Sequence, residues 1–323
     1  MKGESIMNDH SNVRSLPFSV ANDQPTTSLE SRRQEYFSDE SELYFKTYER
    51  PLFYSGGPAS DGINPNMYPV HSHKSIVRMI GDQPTSIGIV GKKYVPFEMK
   101  PLCEAVETTY AEVFDDDMLR GVQRFDRTAY DGATCVREYV FPSINRDINS
   151  NSKVAFRTVI SNSCDGKASF RIYNGAIDFF CDNGMVIGSF DMMTKRHTSG
   201  LIIPEIAQRV RDAIHLFYHQ ADIWLQWANK RITDESARTC FEAIPGVSER
   251  LVDKLMRQFQ IEVQSHGYTV WAMYSAATYY ATHSEGEFKT RNTAKDHEAV
   301  TLLKRERSIQ SWLDTETFEQ IAA

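Results

Sequence analysis

The feature that most constrains this chain is a change of hydrophobic period near Pro204. Between Ile76 and Ser199 the apolar residues fall in short β-type runs punctuated by Gly and Asp-Gly, whereas from Pro204 onward they recur at helical spacing with few breakers. An antiparallel strand-rich half followed by a helix-rich half is an α+β pattern. No internal repeat of solenoid period is present.

Individual segments sharpen the reading. Ile87-Gly88-Ile89-Val90-Gly91-Lys92-Lys93-Tyr94 reads as a strand and tight turn, and Leu102, Val106, Tyr110 and Val113 mark a helix over 97–113. Asp131-Gly132 reads as a turn between strands near 119–128 and 133–141. Lys153 to Asn174 reads as a hairpin. A two-residue turn at Asp165-Gly166 would set apolar residues against polar ones, so a three-residue loop, Cys164-Asp165-Gly166, is expected, with Ser163 opposite Lys167, Ile160 opposite Phe170, and Gly166 at positive φ. That register gives a core face of Val154, Phe156, Ile160, Phe170 and Ile172. The opposite face, expected to be solvated, carries Arg157, Val159, Ser161, Ser169, Arg171 and Tyr173. Ile206, Val210, Ala213, Phe217, Trp224 and Ala228 line one side of a long helix from Pro204 to about Lys230, and further helices are expected at 234–243, 247–264, 269–282 and 296–313.

The expected organisation has four parts. Residues 1–45, polar and acidic, read as a disordered arm, and 46–69, rich in Pro, Gly and Asn, as a lead-in loop. A strand-rich half (70–200) and a helical half (201–323) then pack as one domain. No apolar run approaches the 18 residues of a membrane span, and the first ten residues lack a secretory pattern, so a cytoplasmic protein without a membrane partner is expected. Five cysteines, all far apart in sequence, read as reduced packing residues. The net charge of −7 argues against a protein coated in positive charge, though not against a local basic groove.

The common enzyme templates are absent: there is no phosphate loop, dinucleotide fingerprint, nucleophile elbow, zinc-protease helix or deaminase signature. The chain is therefore read as a non-enzyme with no cofactor. His215 and His219, at i and i+4, fall on the helix side opposite Trp224, towards solvent, with no third ligand to complete a zinc site. His71 and His73 read as a polar loop, and Asp115-Asp116-Asp117 as an acidic turn. Trp271, Tyr274 and Thr278 form a stripe that reads as helix-packing core. More suggestive is the stretch 153–211, where eight basic side chains face five acidic ones. Arg157 and Arg171 with Tyr173 on the outward hairpin face, and Lys195 and Arg196 before the long helix, combine phosphate neutralisation with a stacking ring, as a single-strand binder requires.

Several stretches, in order over residues 70–315, also carry a resemblance. They are Ile76-Val77-Arg78, Ile87 to Pro96, Ser161-Asn162-Ser163-Cys164-Asp165-Gly166 with Arg171, Phe180 to Met185, Arg196-His197-Thr198, and Tyr268 to His283. Together these are similar to the phage/plasmid-like protein family known as domain of unknown function 932. Asp182 and Gly184 depart from its pattern. The resemblance implies a protein of a phage, plasmid or integrated element in a bacterial cytoplasm, and brings no catalytic residues. The leading expectation is an oligomeric single-stranded nucleic-acid-binding protein that assists recombination or replication by annealing. The alternatives are a protein-interaction inhibitor of a host defence or restriction factor, and an enzyme of unrecognised type.

Overall fold

The computed structural model describes residues 28–38, 40–58, 65–178, 185–197, 203–283, 309, 311–312 and 315–323. Among these, β1 (Tyr48–Pro58), β2 (Pro65–Ile80) and β3 (Gln83–Gly91) form one antiparallel sheet. A second, five-stranded meander runs β4 (Gln123–Ala129), β5 (Thr134–Asn149), β6 (Ser152–Ser163), β7 (Phe170–Asp178) and β8 (Met185–Lys195). The helices are α1 (Leu29–Tyr36), α2 (Met99–Val113), α3 (Asp116–Leu119), α4 (Ile203–Asn229), α5 (Asp234–Glu242), α6 (Glu249–His266), α7 (Val270–His283) and α8 (Glu316–Ala322). The expected α+β architecture is the one observed, with antiparallel sheets in the N-terminal and central half and helices behind them. The expected helix at 296–313 falls largely outside the described residues.

The main core lies between one face of the large sheet and the pair α2 and α4. From α4 come the buried Ile206, Val210, Ala213, Phe217 and Trp224, and from α2 Leu102, Val106 and Tyr110. They meet strand residues of period two, with Phe156 5.8 Å from Phe217 and Phe141 4.7 Å from Tyr110 between ring centroids. A second core joins α5, α6, α7 and α8 around Phe241, Leu255, Phe259, Met273 and Phe318. Helix α7 bridges the two, since Trp271 and Tyr274 face Trp224 while Met273 faces the second core. The aromatic stripe is thus packing material, as its spacing suggests.

The hairpin differs from expectation by two residues. Ile160 pairs with Ile172 and Ser161 with Arg171, and the ladder stops there, so Ser163 does not pair with Lys167. The loop widens because other elements hold it. Tyr94 donates its hydroxyl to the Ser163 carbonyl at 2.6 Å, and Asp165 accepts from the Lys167 backbone N–H at 2.9 Å. Gly88 of β3 lies so close that any Cβ there would collide with the Asp165 backbone. Gly166 does adopt a positive φ, 77°. A two-residue shift preserves the alternation, so the core face is the one expected.

The N-terminal reading needs a larger correction. Residues 1–27 lie outside the described residues, but 28–45 are not a free arm. Ser28 caps α1, accepting from the Ser31 backbone N–H at 3.1 Å, and Arg33, Phe37 and Leu43 are all buried. Nor are residues 46–69 a loop, since most of them form β1 and the start of β2. Their prolines are tolerated because, among the described residues, β1 is an edge strand throughout and β2 before His73 has only β1 beside it. Asp115 is the N-cap of α3 and accepts from the Met118 backbone N–H at 2.7 Å, while Asp116 and Asp117 pair with Arg32 and Arg120. Because Phe37 and Leu43 are core residues, replacing either with Ala should cost about 2–5 kcal/mol in chemical denaturation; a loss under about 1 kcal/mol would show that the segment is not docked.

Candidate functional site

Side chains at paired positions share a face, which decides the fate of the residues singled out from the sequence. Arg157 and Tyr173 do lie away from α2 and α4, yet that face is not solvated. Ala129, Val136, Val159 and Tyr173 form a buried apolar row on it, and Arg157 and Tyr173 are each 2% exposed. Arg157 is committed to Glu138, whose other oxygen accepts from Arg127 at 2.6 Å. The expectation that Arg157 contacts phosphate and Tyr173 stacks a base from a free surface is therefore corrected. Arg171 is half-buried on the same face, beside Ser161. Lys195 pairs with Phe170 on the helix-covered side and forms a 2.6 Å ion pair with Glu205 of α4. Arg196, just past β8, is exposed. The five residues are not brought together.

The opposite face holds a chain of buried charges. Glu107 of α2 receives Arg33 from α1 and Arg137 from β5, each at 3.1 Å, and the Tyr139 hydroxyl at 2.6 Å. Arg137 continues to Asp126 of β4 at 2.8 Å, which also accepts from Ser41 at 2.6 Å. Every member is used by another, so the network serves the fold. Burial pushes the Glu107 carboxyl up. Asp126 and Glu138 are also opposed by burial, but their arginine partners hold both below the ordinary carboxylate range.

A second cluster looks like a Cys–His–Asn constellation. Phe97 gathers it: Asn162 donates to its carbonyl at 2.6 Å, the Cys164 thiol points at the same oxygen, and His197 stacks on its ring at 4.4 Å. Burial pushes the Cys164 thiol up to about 12 and lowers His197, so the thiol stays protonated and the imidazole neutral near pH 7. The group closes the junction between the sheets. Cys103 and Cys240 are likewise free, buried and pushed up to about 12, while Cys135 is free and buried. His215 and His219 are exposed.

Exposed cations and aromatics meet on the small sheet instead. Residues 46–95 carry Lys46, Arg50, Lys74, Arg78, Lys92 and Lys93 against Glu49, Asp61 and Asp82, net positive within a chain of −7. Arg50, Ser75 and Ile89 lie in one cross-strand row of its outer face, with the Arg50 guanidinium 5.8 Å from the Tyr48 ring centroid. Tyr48 and Ile89 are exposed, as is His73 at the next outward position of β2. The chain leaving β3 then brings Lys92 and Lys93 to Arg196, because the Val95 N–H donates to the His197 carbonyl at 2.7 Å and Tyr94 stacks on His197. Lys167, on the loop pressed against Gly88 and Val90, adds a mostly exposed ammonium, although Asp165 holds it at 3.0 Å. Lys46, Lys92, Lys93 and Arg196 are exposed and form no ion pair with a described residue. The sequence reading missed all of these but Arg196. Gly91-Lys92-Lys93 read only as a turn, and nothing local in the sequence links it to a residue a hundred positions later.

The family model described as domain of unknown function (DUF932) matches residues 87–307, more than half of the chain, and the chain belongs to that family. No curated protein and no solved structure matches it. Among the described residues no helix is long and apolar enough to cross a membrane.

The acid behaviour follows from the buried carboxylates. A carboxylate held low in the folded state contributes stability above its unfolded value, and that contribution is lost as pH falls through the folded one. Asp126 and Glu138 act in this sense, whereas Glu107, pushed up, acts in the opposite one. Stability measured by urea denaturation should therefore fall between about pH 5 and pH 2.5, and a flat profile across that window would contradict the ion pairing.

Proposed function

We propose that the chain binds single-stranded nucleic acid through the outer face of the β1–β3 sheet and the cationic rim beside it, without catalysing a reaction. The observation that carries this is the group Lys92, Lys93 and Arg196, exposed and without ion pairs among the described residues, next to a sheet face bearing Tyr48 and Arg50. Ammonium and guanidinium groups neutralise the backbone and release its counterions, while an exposed ring stacks any base. A process served by such binding, recombination or replication in a phage or plasmid within a bacterial cytoplasm, follows from the mobile-element resemblance of the sequence. The five residues first singled out contribute one contact to this interface, Arg196.

A salt titration of binding to labelled single-stranded DNA tests it. Each phosphate neutralised contributes about −0.7 to the log–log salt slope, so Lys92→Ala with Lys93→Ala should flatten the slope by roughly 1 to 1.5. Tyr48→Ala should lower affinity by about 1–3 kcal/mol with the slope almost unchanged. Arg157→Ala should reduce folding stability, because Glu138 is left buried with one partner fewer, and should leave the slope unchanged. Absence of salt-dependent binding near 50 mM salt, or a slope indifferent to both lysines, would overturn the reading and favour a protein partner.

A further inference from the structure

The distal half of the β1–β2 hairpin stands outside both cores. The β3 ladder covers only His73 to Ile80 of β2, so Leu52–Pro58 and Pro65–Val70 have only one another as strand partners among the described residues. Its large side chains are nonetheless apolar and in water: Phe53 is 50% exposed, Tyr54 57%, Met67 54% and Tyr68 46%. They occupy both faces. Tyr54 and Tyr68 stack across the hairpin at 5.5 Å, and Tyr68 lies over Gly56, where a Cβ would fall 2.2 Å from the ring. Phe53 and Met67 lie on the opposite face, at positions paired with Pro69 and Ser55.

A long exposed strand edge is ordinarily blunted by a charge, a proline or a covering element, and the prolines of β1, Pro51 and Pro58, stand only at the two ends of this segment. Here no side chain from Pro51 to Pro58 or from Pro65 to Val70 is charged. That choice of residues selects among occupants. A nucleic-acid backbone finds no cation on this part of the arm. A copy of the same arm, however, meets apolar side chains with apolar side chains, offers a strand edge to a strand edge, and sets no like charges opposite each other across a two-fold axis. Six aromatic rings, two methionines and two strand edges bury on the order of 1,000 Å², close to the lower limit for a specific interface.

We infer that the chain self-associates through this arm, β1 of one copy pairing antiparallel with β1 of a second. The inference stands apart from the nucleic-acid reading, because the arm's tip carries none of the residues assigned to phosphate. Sedimentation velocity on the full chain, without nucleic acid and across a concentration series up to about 100 µM, tests it. The wild type should shift from monomer to dimer. The double variant Phe53→Lys with Tyr54→Lys should raise the midpoint concentration at least about tenfold, with an unchanged melting temperature, since neither residue belongs to a core. Added lysines strengthen rather than weaken phosphate binding, so loss of self-association in this variant is separable from loss of nucleic-acid affinity. A wild type that stays monomeric throughout, or a dimer indifferent to the two substitutions, would overturn the inference.

Discussion

The fold turns on one carboxylate. Glu107, fully buried on α2, is held by Arg33 from α1, by Arg137 from β5 and by the Tyr139 hydroxyl. A buried charge is costly unless its partners are placed well, and the reward for placing them here is positional rather than energetic. The three donors require α1, α2 and β5 to meet at one point, and Arg137 extends the requirement to β4 through Asp126. Residues 28–45 are drawn against the body by this chain of charges as much as by Phe37 and Leu43, and Arg124 reinforces it by donating to the carbonyls of Ser38 and Glu40. Glu138 repeats the device on the other face with Arg127 and Arg157, so the large sheet is locked on both sides.

The small sheet joins this frame through a further apolar cluster, in which Ile76, Ile87 and Val90 meet Ala133 and Cys164. Gly88 against Asp165, the Tyr94 hydroxyl on the Ser163 carbonyl, and the Val95–His197 bond hold β3 to the large sheet, and the cationic rim follows directly from them. A rigid body thus carries an extended, partly apolar sheet whose exposed residues serve neither core. On the proposed reading, stability and recognition are separated along the chain: Arg157 of the central hairpin is held by Glu138, while Lys92 and Lys93 beyond β3 are exposed.

Much of the architecture was legible because it depends on period. Helices α4 to α7, the helix of α2 and the core face of β6 and β7 all follow from spacing, and the hairpin faces survive a two-residue register error because alternation is unaffected by even shifts. What was not legible is whatever depends on a distant partner. Arg157 looks like any outward arginine until β5 supplies Glu138 beside it, and Tyr173 looks like a stacking ring until Ala129, Val136 and Val159 close around it. The polar segment 28–45 looks disordered because its anchors are a buried arginine and two isolated apolar residues, Phe37 and Leu43, rather than a periodic stripe. Proline and glycine hid β1 and β2, since those residues argue against a central strand and say little about an edge.

The coupling between Arg33 and Glu107 is the most direct measure of the central interaction. A double-mutant cycle with Arg33→Ala, Glu107→Gln and the pair, read by urea denaturation at pH 7, should give a coupling energy of at least about 1.5 kcal/mol, as for contacting residues of one buried network. Additivity within about 0.5 kcal/mol would contradict it, and would mean that the N-terminal segment is held by Phe37 and Leu43 alone.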